Sequence, residues 1–353
     1  MSADCIGSRV NFTKSKIVGL VACTPSFRIE NNYFLKDFTQ EDINNVVKMI
    51  GVKKRYWTDD KTTTKDLCVH AGMQLLKKLN WEHSSVDVLI FVSQTPDYIL
   101  PPTSIAIQTE LSLSKNAIVF DVNLGCSGYV YALWLGMSLI ESGSAKRVLL
   151  AVGDTISKII DHKDRSTAML FGDAGTVTAL ERSDVDEESF FILGADGLGV
   201  NNLIVPNGRF KIPSTEIKEK LKDKNLSCLY MDGSEIFNFT LRTLPSLFSE
   251  IMNFSKISIS DYDYFLFHQA NIFILNHIAK KIKLPLEKVP LNIEDFGNTS
   301  SASIPLLITT RLSEPLKRKS LRLALFGFGV GYSWGGASIG IKEISVLEHL
   351  IYE

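Results

Sequence analysis

Cysteine is scarce in this chain: five among 353 residues, at positions 5, 23, 68, 126 and 228, with no Cys-x-x-Cys pair. So sparse a pattern excludes a disulfide framework and a zinc site, and it fits a reducing, cytoplasmic compartment. Excess charge of either sign is also missing. The formal net charge is -1, from 38 Lys and Arg against 39 Asp and Glu. That balance gives no reason to expect nucleic acid or a polybasic membrane surface, so any basic docking patch must be local. The first ten residues lack the charged start and continuous apolar run of a leader peptide. A membrane span is lacking too. Leu323 to Ile341 carries no charge over a bilayer's length, but Gly327, Gly329, Gly331, Gly335, Gly336 and Gly340 interrupt it. It reads as two buried strands joined by a turning loop.

What remains is an ordinary globular composition, 45% hydrophobic and 22% charged, long enough for one large core or two fused ones. Ile17–Ala22, Val86–Val92, Ala117–Val122, Arg147–Val152 and Asp173–Leu180 are short apolar runs that predict strands. Residues 39–50, Thr64–Leu79, 104–111 and a segment from the Cys126 turn to Ser142 predict helices, the last stopped by Gly143. Cys68 and Met73 fall among the core positions of their helix. Gly51–Trp57 reads as a solvated, basic connector with one anchoring aromatic.

The second half repeats this grammar. Asp263–Asn271 echoes Asp87–Thr95, Pro290–Ser301 echoes the strand-to-helix turn around Cys126, and Leu321–Gly327 echoes Arg147–Gly153. Tyr332–Ile341 then echoes the strand near Ala179. Two divergent copies of one βαβ-rich unit predict an α/β architecture in which equivalent strand ends meet about a pseudo-twofold axis. The expected division is residues 1–182 as the N-terminal half, 183–232 as an insertion and cap, and 233–353 as the C-terminal half. Within the insertion, the charged run Glu216–Lys224 reads as a solvated face; beyond it a helix from Gly233 to about Met252 should kink or break at Pro245.

Three polar residues fall at corresponding strand ends: Cys126, His268 and Asn298. A thiol at a helix N-terminus sees unpaired N–H groups and the positive end of the macrodipole, which favour thiolate. Taken alone, Cys126 is equally readable as a buried structural cysteine. A lone histidine after a strand is commonly structural, and Asn-Thr-Ser is commonly a turn or cap. Brought together, they suit acyl transfer. Cysteine can carry an acyl group as a thioester, and the imidazole and amide can donate to an oxygen that gains negative charge.

The segments Val122-Asn-Leu-Gly-Cys-Ser-Gly128, His268-Gln-Ala-Asn271, Gly297-Asn-Thr-Ser-Ser-Ala302 and Gly327-Phe-Gly-Val-Gly-Tyr-Ser-Trp-Gly335 resemble, in order and spacing, the β-ketoacyl-acyl-carrier-protein synthase III family. The resemblance covers about residues 17–345. It implies the thiolase fold, with layered αβαβα architecture, a homodimer, and a catalytic Cys126, His268 and Asn298. By the same resemblance an acyl thioester, on CoA or on acyl carrier protein, would acylate Cys126, with the N–H groups of Cys126 and Val330 as oxyanion hole. Malonyl-acyl-carrier protein would then lose carbon dioxide, and His268 and Asn298 would hold the enolate. Asn271 matches a pantetheine contact, Arg165 an adenine contact, Lys280 and Lys281 carrier-docking cations, and Leu100 the residue that closes a neighbour's acyl tunnel. No metal or redox cofactor is implied.

Departures from the family pattern concern the outer site. The stretch Asp42–Met49 lacks the Trp and Arg that clamp CoA in acetyl-CoA-primed members, Trp57 comes too late to replace that Trp, and Phe273 stands where the docking helix carries an Arg. These imply altered CoA recognition. Leu100 in place of a bulky Phe would admit longer or branched chains, or is an ordinary interface leucine. The rival activity is acyl transfer to an oxygen or nitrogen nucleophile without decarboxylation; two enolate donors favour condensation. A hydroxymethylglutaryl-CoA-type reaction would want an acid after the Val86 strand, where Ser93-Gln-Thr95 supplies none. An inactive carrier-binding subunit would not need the intact Cys-His-Asn set.

Overall fold

The computed structural model describes residues 6–342 and 344–353. Cys5 and half of the segment read above for a leader peptide, residues 1–5, lie outside the described residues. The strands are β1 (Ser8–Phe12), β2 (Ser15–Pro25), β3 (Arg28–Glu30), β4 (Lys54–Tyr56), β5 (Val88–Val92), β6 (Ile118–Val122), β7 (Arg147–Asp154) and β8 (Ala174–Arg182). They continue with β9 (Ser189–Ala195), β10 (Leu203–Ile204), β11 (Tyr230–Met231), β12 (Tyr264–Phe267), β13 (Leu321–Gly329), β14 (Ser333–Ile341) and β15 (Val346–Tyr352). The helices are α1 (Gln40–Ile50), α2 (Thr64–Leu79), α3 (Thr103–Glu110), α4 (Gly128–Glu141) and α5 (Thr215–Lys220). After them come α6 (Gly233–Ser255), α7 (Ile272–Lys281), α8 (Ile293–Phe296), α9 (Ser303–Arg311) and α10 (Ser313–Arg318).

Two sheets organise the molecule. A six-stranded sheet runs β15-β2-β8-β7-β5-β6, and a five-stranded sheet runs β1-β9-β14-β13-β12. Helices α4 and α9 fill the space between them, sharing one core with Val88, Ile90, Leu150, Leu266, Leu325 and Ile339. On the far side of the six-stranded sheet α2 and α3 cover Leu89, Phe91, Leu149 and Val177; on the far side of the other, α1, α6 and α7 cover Phe265, Phe267 and Phe326. This is the αβαβα layering expected. With helices on both faces, a strand such as Val88–Val92 buries every side chain, which explains its continuous apolar run.

The repeat is visible in the ladders. Strands β5 and β7 pair in parallel and β7 and β8 antiparallel, just as β12 and β13 pair in parallel and β13 and β14 antiparallel. Even a side-chain contact recurs. Arg147 N–H donates to Asp87 Oδ2 at 3.0 Å, and Arg322 N–H donates to Asp263 Oδ2 at 2.8 Å. The copies also differ. No strand forms at Pro290–Leu291 to match β6, and β9, inside the 183–232 segment, is an interior strand of the C-terminal sheet. The halves exchange edges, because β1 pairs with β9 while β15 pairs with β2.

Three local expectations need correction. Gly51–Trp57 is no solvated connector: Arg55 is fully buried, donating to the Met169 carbonyl at 2.6 Å and Asn31 Oδ1 at 2.8 Å, and Trp57 Nε1 donates to the Phe171 carbonyl at 2.9 Å. Those carbonyls lie on a loop distant in sequence, so periodicity could not register them. Met73 is 50% exposed, on the outer side of α2. Pro245 does not break α6. The missing N–H frees the Leu241 carbonyl, and Lys281 Nζ from α7 donates to it at 2.9 Å.

Candidate active site

Cys126 stands in the turn from β6 to α4, two residues before the helix begins at Gly128. The turn is pressed from two sides. A Cβ on Gly125 would lie 2.2 Å from Gln94 Oε1, and a Cβ on Gly329 would lie 2.6 Å from Cys126 Cβ and 2.9 Å from its Sγ. Only glycine lets the end of β13 run against the cysteine at this separation. The contact joins the halves where the repeat places them. It also brings the N–H of Val330, together with that of Cys126 itself, to the sulfur.

The thiol is nevertheless not poised as thiolate. Burial, reinforced by the nearby Asp154 carboxylate, pushes it up to about 12, although the Ser300 hydroxyl and the two N–H groups act in the opposite direction. Here desolvation outweighs the helix terminus, which corrects the expectation drawn from the turn alone.

His268 follows β12 and is 1% exposed. Its Nδ1 lies 2.7 Å from Ser303 Oγ, and its ring packs edge-on to Phe328 at 5.5 Å between centroids. Burial pulls its pKa down to about 3, against a backbone contact with Ser300 that raises it. The imidazole is therefore neutral and keeps one N–H to donate. Asn298, also buried, is fixed by its backbone: its N–H donates to the Leu170 carbonyl at 2.9 Å, and its carbonyl accepts from Gly172 N–H at 3.1 Å. Asn298 Oδ1 accepts from Ser300 N–H at 2.9 Å, while Nδ2 makes only a long 3.4 Å contact with the Ala270 carbonyl. Ser300 thus touches all three: the Cys126 thiol, the His268 ring and the Asn298 amide.

The other anticipated residues lie outside this buried cluster. Asn271 caps α7, its Oδ1 accepting from Ile274 N–H at 2.8 Å, which leaves Nδ2 without a recorded partner among the described residues. Arg165 is surface-exposed and pairs with Asp42 Oδ1 at 2.8 Å, in the first turn of α1. Lys280 and Lys281 close α7 and are exposed, Lys281 being held over α6 as described. Phe273 sits among Phe237 and His277, at 5.4 and 5.8 Å between centroids, and makes α7 locally aromatic. Leu100 is 78% exposed on the loop after β5. Sequence reasoning missed Asp154, Ser300, Ser301 and Ser303. The signal for Asp154 was an acid at the end of an apolar strand; the serines lay inside a motif of which only the asparagine was weighed.

Among the described residues no group of three or more His, Cys, Asp or Glu side chains is arranged to hold a metal ion. No helix of the described residues is long and apolar enough to cross a membrane.

The sequence models for 3-oxoacyl-[acyl-carrier-protein (ACP)] synthase III match residues 120–197, and for its C terminal residues 252–341. A β-ketoacyl-[acyl-carrier-protein] synthase III of Clostridium perfringens is 32% identical over 92% of this chain and 98% of its own. One from Clostridium tetani is 33% identical over 89% of this chain and 95% of its own. Among solved structures, a 3-oxoacyl-(acyl-carrier protein) synthase from Burkholderia xenovorans LB400 superposes with a TM-score of 0.97. It is 52% identical and covers 98% of this chain and 99% of that one.

Proposed function

The chain belongs to the 3-oxoacyl-[acyl-carrier-protein] synthase III family, thiolase-fold condensing enzymes also called β-ketoacyl-acyl-carrier-protein synthases III, and from that premise we propose how its residues divide the reaction. The activity is an acyl transfer that forms a carbon–carbon bond by decarboxylative condensation of an acyl thioester with malonyl-acyl-carrier protein.

In our reading Cys126 is the nucleophile. It attacks the donor carbonyl, the oxyanion is held by the N–H groups of Cys126 and Val330, and the donor thiol departs. The observation that carries this is the close passage of Gly329 against Cys126, which aims the Val330 N–H at the reacting atom. The malonyl thioester then loses carbon dioxide. His268, neutral at every physiological pH, and Asn298 donate to the enolate oxygen without giving up a proton, and the carbanion attacks the acyl-cysteine. Asn271 Nδ2 reaches toward the pantetheine arm, and Lys280 and Lys281 meet the acidic carrier protein. The adenine side is weaker in this chain, since Arg165 already has Asp42 as partner and each rim cation contributes under about 1 kcal/mol.

We also read the protein as a cytoplasmic homodimer in which Leu100 of one copy closes the acyl tunnel of the other. In support, Tyr98, Ile99, Leu100 and Ile105 are exposed apolar residues beside β6, an edge strand that pairs only with β5 among the described residues. The deciding experiment is intact-mass spectrometry after incubation with acyl-CoA and acyl-carrier donors. An acyl adduct is expected on the full chain and none on Cys126→Ala; an adduct on that variant would sink the assignment. Carbon dioxide release from malonyl carrier protein should fall about 10²-fold or more in His268→Ala and Asn298→Ala, the cost typical of lost oxyanion donors.

A further inference from the structure

Asp154 ends β7 and is wholly buried, yet the condensation described above leaves it without a task. Its Oδ1 accepts from Gln94 N–H at 2.7 Å and from the hydroxyls of Ser93 and Thr95 at 3.1 and 3.3 Å. Its Oδ2 accepts from the Ser301 hydroxyl at 2.7 Å and the Ser301 N–H at 3.3 Å. The carboxylate is therefore stitched into both halves, directly behind the cysteine turn.

Ser300 fills the space between. Its φ is +49°, in the left-handed region that a side chain with a Cβ enters only at a cost, and such strain gathers at functional sites. The twist carries its hydroxyl toward the cysteine turn, 3.5 Å from the point that a Cβ on Gly125 would occupy. There the hydroxyl approaches the Cys126 thiol on one side and the Asp154 carboxylate on the other.

We propose that Cys126, Ser300 and Asp154 form a proton relay, in which Ser300 takes the thiol proton and Asp154 stores it while Cys126 carries the acyl group. The inference rests on the reading that Cys126 is the acylated residue. As the Cys126 sulfur bonds to the donor carbonyl carbon, its proton passes to Ser300 Oγ and the Ser300 proton passes to Asp154. Collapse of the tetrahedral adduct breaks the donor carbon–sulfur bond, and the donor leaves as a thiolate that solvent protonates. After condensation the carbanion's new carbon–carbon bond expels the Cys126 thiolate, which regains its proton from Asp154 through Ser300. No proton is left over at the end of a cycle.

The relay answers two features of the site. The resting thiol is held neutral by burial, so attack needs an acceptor at the moment of reaction; and burial raises Asp154 itself, which makes its protonated form attainable. Ser300 touches the reacting sulfur and is catalytic in this scheme, whereas Asp154 acts through it.

The test is single-turnover acylation of the full chain by acetyl-, butyryl- and octanoyl-CoA and by acyl carrier donors, read by intact mass in H2O and D2O. Ser300→Gly removes the hydroxyl and accepts the positive φ without strain; Asp154→Asn keeps the shape and removes the acceptor. Both are expected to slow acylation about 10²-fold, the usual scale of a lost general base, and to lose the solvent isotope effect. If Asp154 mattered only as a nearby negative charge, Asp154→Asn would ease thiolate formation and quicken acylation. Faster or unchanged acylation in either variant overturns the relay. Should Asp154→Asn fail to fold, Ser300→Gly decides alone. Cys126→Ala separates the two levels: an acyl adduct on it, or none on the parent chain, overturns the underlying reading and the relay with it.

Discussion

At the scale of single residues, the site is a buried polar cluster whose members are tuned mainly by loss of water. His268 shows the consequence most clearly. Its pKa falls from an ordinary 6.5 to about 3 in the folded protein. A base with a depressed folded pKa contributes stability in full above the unfolded value, and loses it as the pH drops from about 6.5 toward 3, because the unfolded chain takes up a proton that the folded one refuses. Each pH unit in that window is worth at most about 1.4 kcal/mol. Melting temperature measured from pH 7 to pH 4 should therefore fall less steeply in His268→Asn than in the parent chain; identical slopes would contradict the neutral buried imidazole. The type and place of this residue were legible in the sequence, at the end of an apolar strand. Its protonation state was not, since that depends on Ser300, Ser303 and Phe328, which only folding brings around it.

At the scale of elements, the helices begin where their exposed N–H groups find acceptors. Helix α2 has a local one: Asp66 takes the Thr63 N–H at 2.7 Å, and the boundaries Thr64–Leu79 were readable from apolar spacing. Helix α3 does not. Its first N–H groups, from Thr103 and Ser104, donate at 2.7 and 2.8 Å to the carboxylate of Asp121, on the neighbouring strand β6. Asp121 thus ties the loop that carries Tyr98–Leu100 to the strand that leads to Cys126. Asp121→Ala should cost about 1–2 kcal/mol, the upper range for a lost cap, and should raise amide exchange at residues 96–105 first. Uniform exchange across the chain would argue that the carboxylate does not hold the start of α3. The same non-local logic explains why α6 survives Pro245 and why Arg55 and Trp57 are buried. In each case the partner comes from elsewhere in the chain, so local propensity gave the wrong answer.

At the scale of the whole molecule, the two halves are bound by shared strands and by the cluster around Cys126. Strand β1 completes the C-terminal sheet and β15 the N-terminal one. Asp154 reaches from one half to Ser301 in the other. What is left open is the β6 edge, beside exposed Tyr98, Ile99 and Leu100. A single copy with such an edge has unpaired backbone groups to satisfy, which a second copy can do. Sedimentation of the parent chain should give a dimer, and Leu100→Glu should shift it toward monomer with loss of condensing activity. A monomeric parent chain with full activity would refute the shared tunnel.

The sequence by itself determined the α/β class and the doubled strand-and-turn grammar, and placed Cys126 and His268 after apolar strands, because apolar periodicity and a polar residue after a strand are local signals; Asn298 instead follows the short helix α8. Tertiary structure alone decided how those residues behave. The approach of Gly329 to Cys126 and the strained Ser300 between thiol and carboxylate arise where segments from opposite halves meet, and the neutral state of His268 arises where Ser300, Ser303 and Phe328 of its own half enclose it. Desolvation and hydrogen-bond geometry are set by what surrounds a group in space, and for this site the surroundings come from residues tens of positions away around His268 and well over a hundred away around Asp154.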